Sequence, residues 1–351
     1  MTRIAAVHGV LPPHRYQQHE IREALTALGL ARPADHRLFD RLHTASTVRS
    51  RHLALPLESY ATLSGFGAAN DAFIEAGLDL GEQAVRGALD RAGLRPDQVD
   101  LVISTSVTGI AAPSLEARLA GRLGLRPDVR RLPVFGLGCV AGAAGIARLH
   151  DFLHGRPDGV AVLLSVELCS LTLQRTDTSR ANLVAAALFG DGAAAAVAVG
   201  AGHPSGAGPS VTATRSRLYP GTERLLGWDI GDQGFQILLG DDLPGVVRER
   251  VGPAVRDFLA DHELKPADVT AWICHPGGPK ILEAVRESLD LPARALELSR
   301  RSLAEVGNLS SASVLHVLRD TLAVRTPLPG TPGLMLALGP GLATELVLLR
   351  W

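Results

Sequence analysis

Lysine is nearly missing from this chain. Of 35 basic side chains only Lys265 and Lys280 are lysines, an arginine bias that reads as genome composition rather than chemistry. Acidic residues number 36, so the formal net charge is −1, and no field of either sign draws in nucleic acid or an anionic membrane. Cysteine is scarce and odd in number: Cys139, Cys169 and Cys274 lack the paired spacing of a disulfide framework. Free thiols in a reducing, cytoplasmic compartment are expected. No His/Cys/Asp spacing suggests a metal site. Met1 to Gly9 lacks the charged, then apolar, then small-residue pattern of a secretory leader. The most apolar stretch, Leu183 to Ala201, is broken by Gly190-Asp191-Gly192. It predicts two strands, or a helix and a strand, around a turn, and no membrane span.

What is present is a large apolar interior. The chain has 351 residues, 46% of them hydrophobic and 20% charged, enough for two domains or one large duplicated one. Two segments echo one another at a long period. Leu94-Arg95-Pro96-Asp97-Gln98-Val99 and the apolar run Leu101-Val102-Ile103 have a counterpart in Leu264-Lys265-Pro266-Ala267-Asp268-Val269 and Trp272-Ile273-Cys274. Gly138-Cys139-Val140-Ala141-Gly142 corresponds in the same register to Gly307-Asn308-Leu309-Ser310-Ser311. The paired segments lie 170 and 169 residues apart. Helix-like stretches over 113–125 and 279–291 follow each apolar run. A duplicated supersecondary unit explains this better than chance in a chain rich in alanine and leucine. The Gly- and Pro-rich stretch 200–209 reads as the loop between the copies, giving halves over 1–205 and 206–351.

Local patterns alternate helix and strand. Helices are predicted over 81–92, 140–153, 246–259 and 311–322, and buried strands over 101–104, 132–135, 160–166, 271–274, 333–338 and 342–349. Such alternation predicts a mostly parallel sheet with helices on its faces.

Three residues carry the chemistry. Cys139 lies where a strand gives way to a helix of small residues. Unpaired N–H groups at a helix start lower a thiol pKa, although a buried structural cysteine is the plainer reading. His275 follows the strand 271–274 and opens the turn Pro276-Gly277-Gly278, where α/β folds place catalytic groups. Asn308 suits a helix cap. Its place in the second copy, however, matches that of Cys139 in the first. Pseudo-symmetry then brings nucleophile, base and carboxamide donor to one site.

With these residues in hand, the chain resembles the type III polyketide synthases, the chalcone and stilbene synthases and their bacterial relatives. The resemblance rests on Gly138-Cys139-Val140-Ala141-Gly142, Leu188-Phe189-Gly190-Asp191-Gly192, His275-Pro276-Gly277-Gly278, Gly307-Asn308-Leu309-Ser310-Ser311-Ala312 and Gly339-Pro340-Gly341. It implies an α/β thiolase fold, two related halves packed as five layers (αβαβα), usually in a homodimer. It implies an acyl-CoA starter carried on Cys139 and extended by decarboxylative condensation with malonyl-CoA, His275 and Asn308 stabilising the oxyanion. No cofactor is needed beyond the coenzyme A thioesters that are substrates. Phe189 corresponds to a gate between coenzyme A tunnel and cavity. Cys169, Thr172, Ala185, Ile237 and Ser310 correspond to cavity positions, and Arg41 and Lys280 are the best matches to coenzyme A-binding cations. The run Glu167 to Thr172 followed by Asn182 to Ala185 looks like alkylresorcinol and alkylpyrone synthases. Small side chains at Ala185, Ile237 and Ala112 leave room for an alkyl starter. Relatives that use malonyl-CoA alone or make naphthalene products stay open. So do a priming ketoacyl-carrier-protein synthase and a silent thiolase-fold scaffold. A thiolase is disfavoured, because no second cysteine follows Cys274.

Overall fold

A computed structural model of the chain describes residues 1–32, 35–205, 207–324 and 326–351. Gly206, the expected start of the second half, lies outside the described residues. The strands are β1 (Thr2–Val10), β2 (His14–Gln17), β3 (Ser50–Leu53), β4 (Leu101–Thr105), β5 (Arg130–Val134), β6 (Val160–Leu168), β7 (Asp191–Val199), β8 (Ser210–Leu218), β9 (Leu226–Gly231), β10 (Gly234–Leu239), β11 (Ala271–Cys274), β12 (Pro332–Gly339) and β13 (Ala343–Arg350). The helices are α1 (Gln18–Ala27), α2 (His36–Ala45), α3 (Gly65–Ala92), α4 (Leu115–Leu123), α5 (Ala141–His154), α6 (Arg180–Leu188), α7 (Leu243–Val246), α8 (Gly252–Ala260), α9 (Pro279–Ser288), α10 (Glu297–Val306) and α11 (Ser311–Val324). A π-helical turn, Val247–Val251, joins α7 to α8.

The duplication is visible in the strand order β11-β12-β13-β8-β1-β7-β6-β4-β5. On one side β4 runs parallel to β6, and β6 antiparallel to β7. On the other, β11 runs parallel to β12, and β12 antiparallel to β13. The halves meet through β1 and β8, which pair only at Thr2–Val211 and Arg3–Ser210. So short a seam lets the two half-sheets fold over one another. Between them lie α5 and α11, whose small and aliphatic side chains form a central core with both sheets. The helix α3 packs on the outer face of the first half-sheet with α4 beside it, and α8 and α9 on the second. This is the five-layered thiolase arrangement.

Three expectations need correction. The sheet is mixed, because each half returns by an antiparallel neighbour as well as by parallel crossovers. The strand expected over 132–135 is β5, and it is mostly exposed rather than buried, because it lies at the sheet's edge with β4 on one side only. The helix expected over 81–92 starts at Gly65 and runs for 28 residues. Its first turns carry alanine, glycine and asparagine rather than a clear apolar period. The break at Gly190 does separate a helix, α6, from a strand, β7. No helix among the described residues is long and apolar enough to cross a membrane.

Contact between α5 and α11 is possible only because residue 142 has no side chain. A Cβ there would lie 2.3 Å from the Ser311 carbonyl oxygen and 2.6 Å from Val314 Cγ1. Gly142→Ala must therefore part the two central helices, and is expected to cost about 1–3 kcal/mol of stability in urea or thermal unfolding. Gly121→Ala, on the exposed face of α4 with nothing within 4 Å of the added carbon, should instead raise stability by about 0.5–1 kcal/mol.

Candidate active site

Cys139 sits in a tight turn, Gly138–Val140, that leads into α5. The turn depends on Gly138, which adopts φ 55° and whose Cβ would lie 2.6 Å from Pro340 Cδ. The glycine-rich run before the cysteine and Gly339-Pro340-Gly341 are thus two sides of one contact. The Cys139 thiol is buried at 7% exposure and donates to Ser310 Oγ across 3.6 Å. The two helix starts therefore meet, as the internal echo requires.

His275 follows β11 directly, and its N–H bonds the Leu336 carbonyl at 2.8 Å. Its ring is buried, and neither Nδ1 nor Nε2 has a hydrogen-bond partner among the described residues. Asn308 is held at both ends. Its Oδ1 accepts from the Ser310 N–H at 2.8 Å and its Nδ2 donates to the Gly277 carbonyl at 3.3 Å. The capping and functional readings of Asn308 are the same fact: the helix start takes the oxygen, and the amide NH2 is left on the His275 side. Its backbone pairs with the strand-like segment at Phe189, through Asn308 N–H to Leu188 O at 2.9 Å and Gly190 N–H to Asn308 O at 3.0 Å.

Cys139, His275 and Asn308 line one cavity of about 280 Å³, with Phe189, Gly277 and Leu338 on its walls and Lys280 among its lining residues. Phe189 also borders a second space of about 40 Å³, lined by Cys169, Thr172, Ala185 and Ile237. Ser310 reaches the site through its bond to Cys139 rather than as part of either wall. Arg41 has no place on the cavity wall. Leu42, Ala45 and Ser46 line it, and Arg41 lies about 100° round the helix from Leu42. No cluster of His, Cys, Asp or Glu among the described residues could hold a metal ion.

Residues 2–203 match the N-terminal domain of chalcone and stilbene synthases, and residues 210–351 match their C-terminal domain. The chain belongs to this family. It is 60% identical to a 1,3,6,8-tetrahydroxynaphthalene synthase of Streptomyces peucetius subsp. caesius, covering 100% of this chain and 93% of that protein. It is 32% identical to a phloroglucinol synthase of Pseudomonas fluorescens, covering 100% and 99%. The crystal structure of 1,3,6,8-tetrahydroxynaphthalene synthase from Streptomyces coelicolor A3(2), a bacterial type III polyketide synthase, superposes with a TM-score of 0.94 at 33% identity, covering 99% of each chain. The chain is a type III polyketide synthase, an acyltransferase that forms carbon–carbon bonds.

Two groups in this polyketide synthase escape a reading of the sequence. Glu167 is wholly buried behind Cys139. It accepts from Ser311 Oγ at 2.5 Å, Thr108 Oγ1 at 2.9 Å and the Val107 N–H at 3.2 Å, while burial raises its pKa. Its only signal is a lone carboxylate in the otherwise apolar β6. Arg180 and Asp241 form an ion pair of 3.2 Å, and both border the triad cavity beside Lys280. They are separated by 61 residues, so no local pattern links them.

The expectation of a lowered thiol pKa also fails. Burial pushes the Cys139 thiol up to about 12, against the opposing Ser310 hydrogen bond, and pushes His275 down to about 3. Neither group carries a charge alone in so dry a site. A base able to take the thiol proton is needed in such a site, and His275, which lines the same cavity, is the group expected to supply it. Removing the base should then silence the thiol at neutral pH. In His275→Ala, iodoacetamide should alkylate Cys139 at least about tenfold more slowly than in the wild type at pH 7, as read by peptide mass spectrometry, and the rate should climb with pH.

Proposed function

We propose that this synthase builds its chain from malonyl units alone and closes it to a polyhydroxylated aromatic. The observation that carries this reading is the 60% identity, across the whole of this chain, to a synthase named for 1,3,6,8-tetrahydroxynaphthalene. The relatives named for tetrahydroxynaphthalene and phloroglucinol support the same product class. The alkylpyrone or alkylresorcinol reading keeps one observation in its favour, the apolar wall formed by Ile21, Leu25, Leu28 and Ile237.

The residues then take these roles. His275 accepts the Cys139 proton as the sulfur attacks the starter thioester, and coenzyme A leaves as its thiol. A malonyl-CoA enters past Arg180 and Lys280 with its thioester carbonyl against His275 and the Asn308 Nδ2. Loss of carbon dioxide puts negative charge on that carbonyl oxygen, where the two donors stabilise it. The enolate carbon attacks the Cys139 thioester and expels the sulfur, leaving a chain two carbons longer on coenzyme A. Reloading onto Cys139 starts the next round. Phe189, pinned to Asn308 by backbone pairing, stands where the chain leaves the condensing cavity.

We assign a homodimer on the exposed edge of β5. Leu132 on β5 and Phe135 and Leu137 in the segment that follows it are 43%, 48% and 37% exposed, large apolar side chains beside an unpaired sheet edge that a second copy would cover. Light scattering should give twice the chain mass, and Leu132→Glu with Phe135→Glu should return it to the monomer value.

The decisive assay supplies malonyl-CoA alone or with acyl-CoA of graded length and identifies products by mass spectrometry. Malonyl-CoA alone should suffice for an aromatic polyketide. A requirement for a long acyl-CoA would overturn this reading in favour of the alkyl one. Asn308→Ala should still load a starter onto Cys139, yet release carbon dioxide about 10²–10³ more slowly. Unchanged decarboxylation would remove Asn308 from the step.

A further inference from the structure

Next to the condensing cavity the core holds a chain of polar groups that the condensation does not use. Asp191, at the start of β7, is completely buried. Its carboxylate accepts from the Ala54 N–H at 2.6 Å, from the Ser170 N–H at 2.8 Å and from the Ser170 hydroxyl. The Ser170 and Tyr60 hydroxyl oxygens lie 2.5 Å apart. A carboxylate only accepts, so the Ser170 proton points to Asp191 and the Tyr60 proton to Ser170. The Tyr60 oxygen also accepts weakly from the Leu55 N–H at 3.4 Å.

This chain of groups ends at open space. Tyr60 and Ser170 both line the 40 Å³ pocket beyond Phe189 and a neighbouring cavity of about 120 Å³ that contains Thr108 and Phe235. The two backbone bonds of Asp191 explain why a carboxylate pins the loop after β3 to the end of β6. They do not explain Tyr60, whose hydroxyl adds a buried polar group to a wall that a phenylalanine ring would fill as well. Tyr16 makes a comparable backbone bond, accepting from Leu57 N–H at 3.2 Å, but borders none of these cavities.

We infer that Tyr60, Ser170 and Asp191 form a proton relay that serves ring closure of the polyketide. The inference rests on the reading that a poly-β-keto chain is cyclised in these cavities. A methylene between two carbonyls gives its proton to the Tyr60 oxygen as the Tyr60 proton passes to Ser170 and the Ser170 proton to Asp191. The carbon electron pair forms a bond to a ketone carbon further along the chain, and the carbonyl π pair moves to oxygen. The proton held on Asp191 returns along the same path to that oxygen. Every proton is accounted for, and nothing is oxidised or reduced. Lactonisation, in which an enol oxygen attacks a thioester, does not need this relay.

The test is the partition of product per carbon dioxide released, measured by chromatography and mass spectrometry with malonyl-CoA and the intact enzyme. Tyr60→Phe should lower the ratio of carbocyclic to lactone products about a hundredfold or more, the smaller end of what acid–base catalysis contributes. Ser170→Ala should act in the same direction and serves if the first variant does not fold. Tyr16→Phe should keep the wild-type ratio. A ratio within twofold of wild type in the folded cavity variants, or an equal shift in Tyr16→Phe, would overturn the relay and leave the proposed function standing. A wild-type enzyme that makes only lactones would overturn the aromatic reading and the relay with it.

Discussion

The backbone contact between α5 and α11 is the constraint on which the rest of this structure depends. Each helix starts from a turn that carries part of the chemistry, Cys139 in one half and Asn308 in the other. Gly142 lets the helices touch at Ser311, so Cys139 and Ser310 come within hydrogen-bond reach. A methyl at residue 142 would push the two helices, and the turns that start them, apart. The half-sheets on either side serve this contact. Their short seam at β1 and β8 allows them to close over the central layer from both faces.

Burial sets the electrical character of the site. In a dry cavity a lone thiolate and a lone imidazolium are both unfavourable, which is why Cys139 and His275 are displaced in opposite directions toward their neutral forms. Donors fixed in advance are worth most in such a place, because they do not have to reorganise as charge develops. Asn308 is fixed by the turn before α11, where the Ser310 N–H holds the amide oxygen. Glu167, by contrast, shows how much hydrogen bonding a buried carboxylate requires: three hydroxyls and a backbone N–H hold it behind the cysteine.

Several features were legible from one sequence because they are local. Gly138-Cys139 and Gly307-Asn308 mark turns before small-residue helices, and the strand over 271–274 lies where its apolar run puts it. The long-period echo announced a duplicated fold, and the glycine break after Phe189 separated α6 from β7. Other features were not legible, for equally physical reasons. The edge position of β5 leaves an apolar-looking strand exposed, and edge or centre is a property of the sheet, not of five residues. Parallel and antiparallel neighbours likewise depend on how the chain returns. Arg41 is offset from the cavity by a rotation of its helix that side-chain type does not reveal.

The sequence by itself determined the fold class and singled out Cys139, His275 and Asn308 as the candidate nucleophile, base and carboxamide, since each is marked by residue type within a short, glycine-bounded motif. Tertiary structure alone decided that these three share one cavity, that Arg180 and Asp241 flank it, and that Phe189 borders both it and a second space. It also decided the protonation preference of Cys139. Helix position argued for a lowered thiol pKa, and burial, which depends on what the other half of the molecule places over the sulfur, outweighed it.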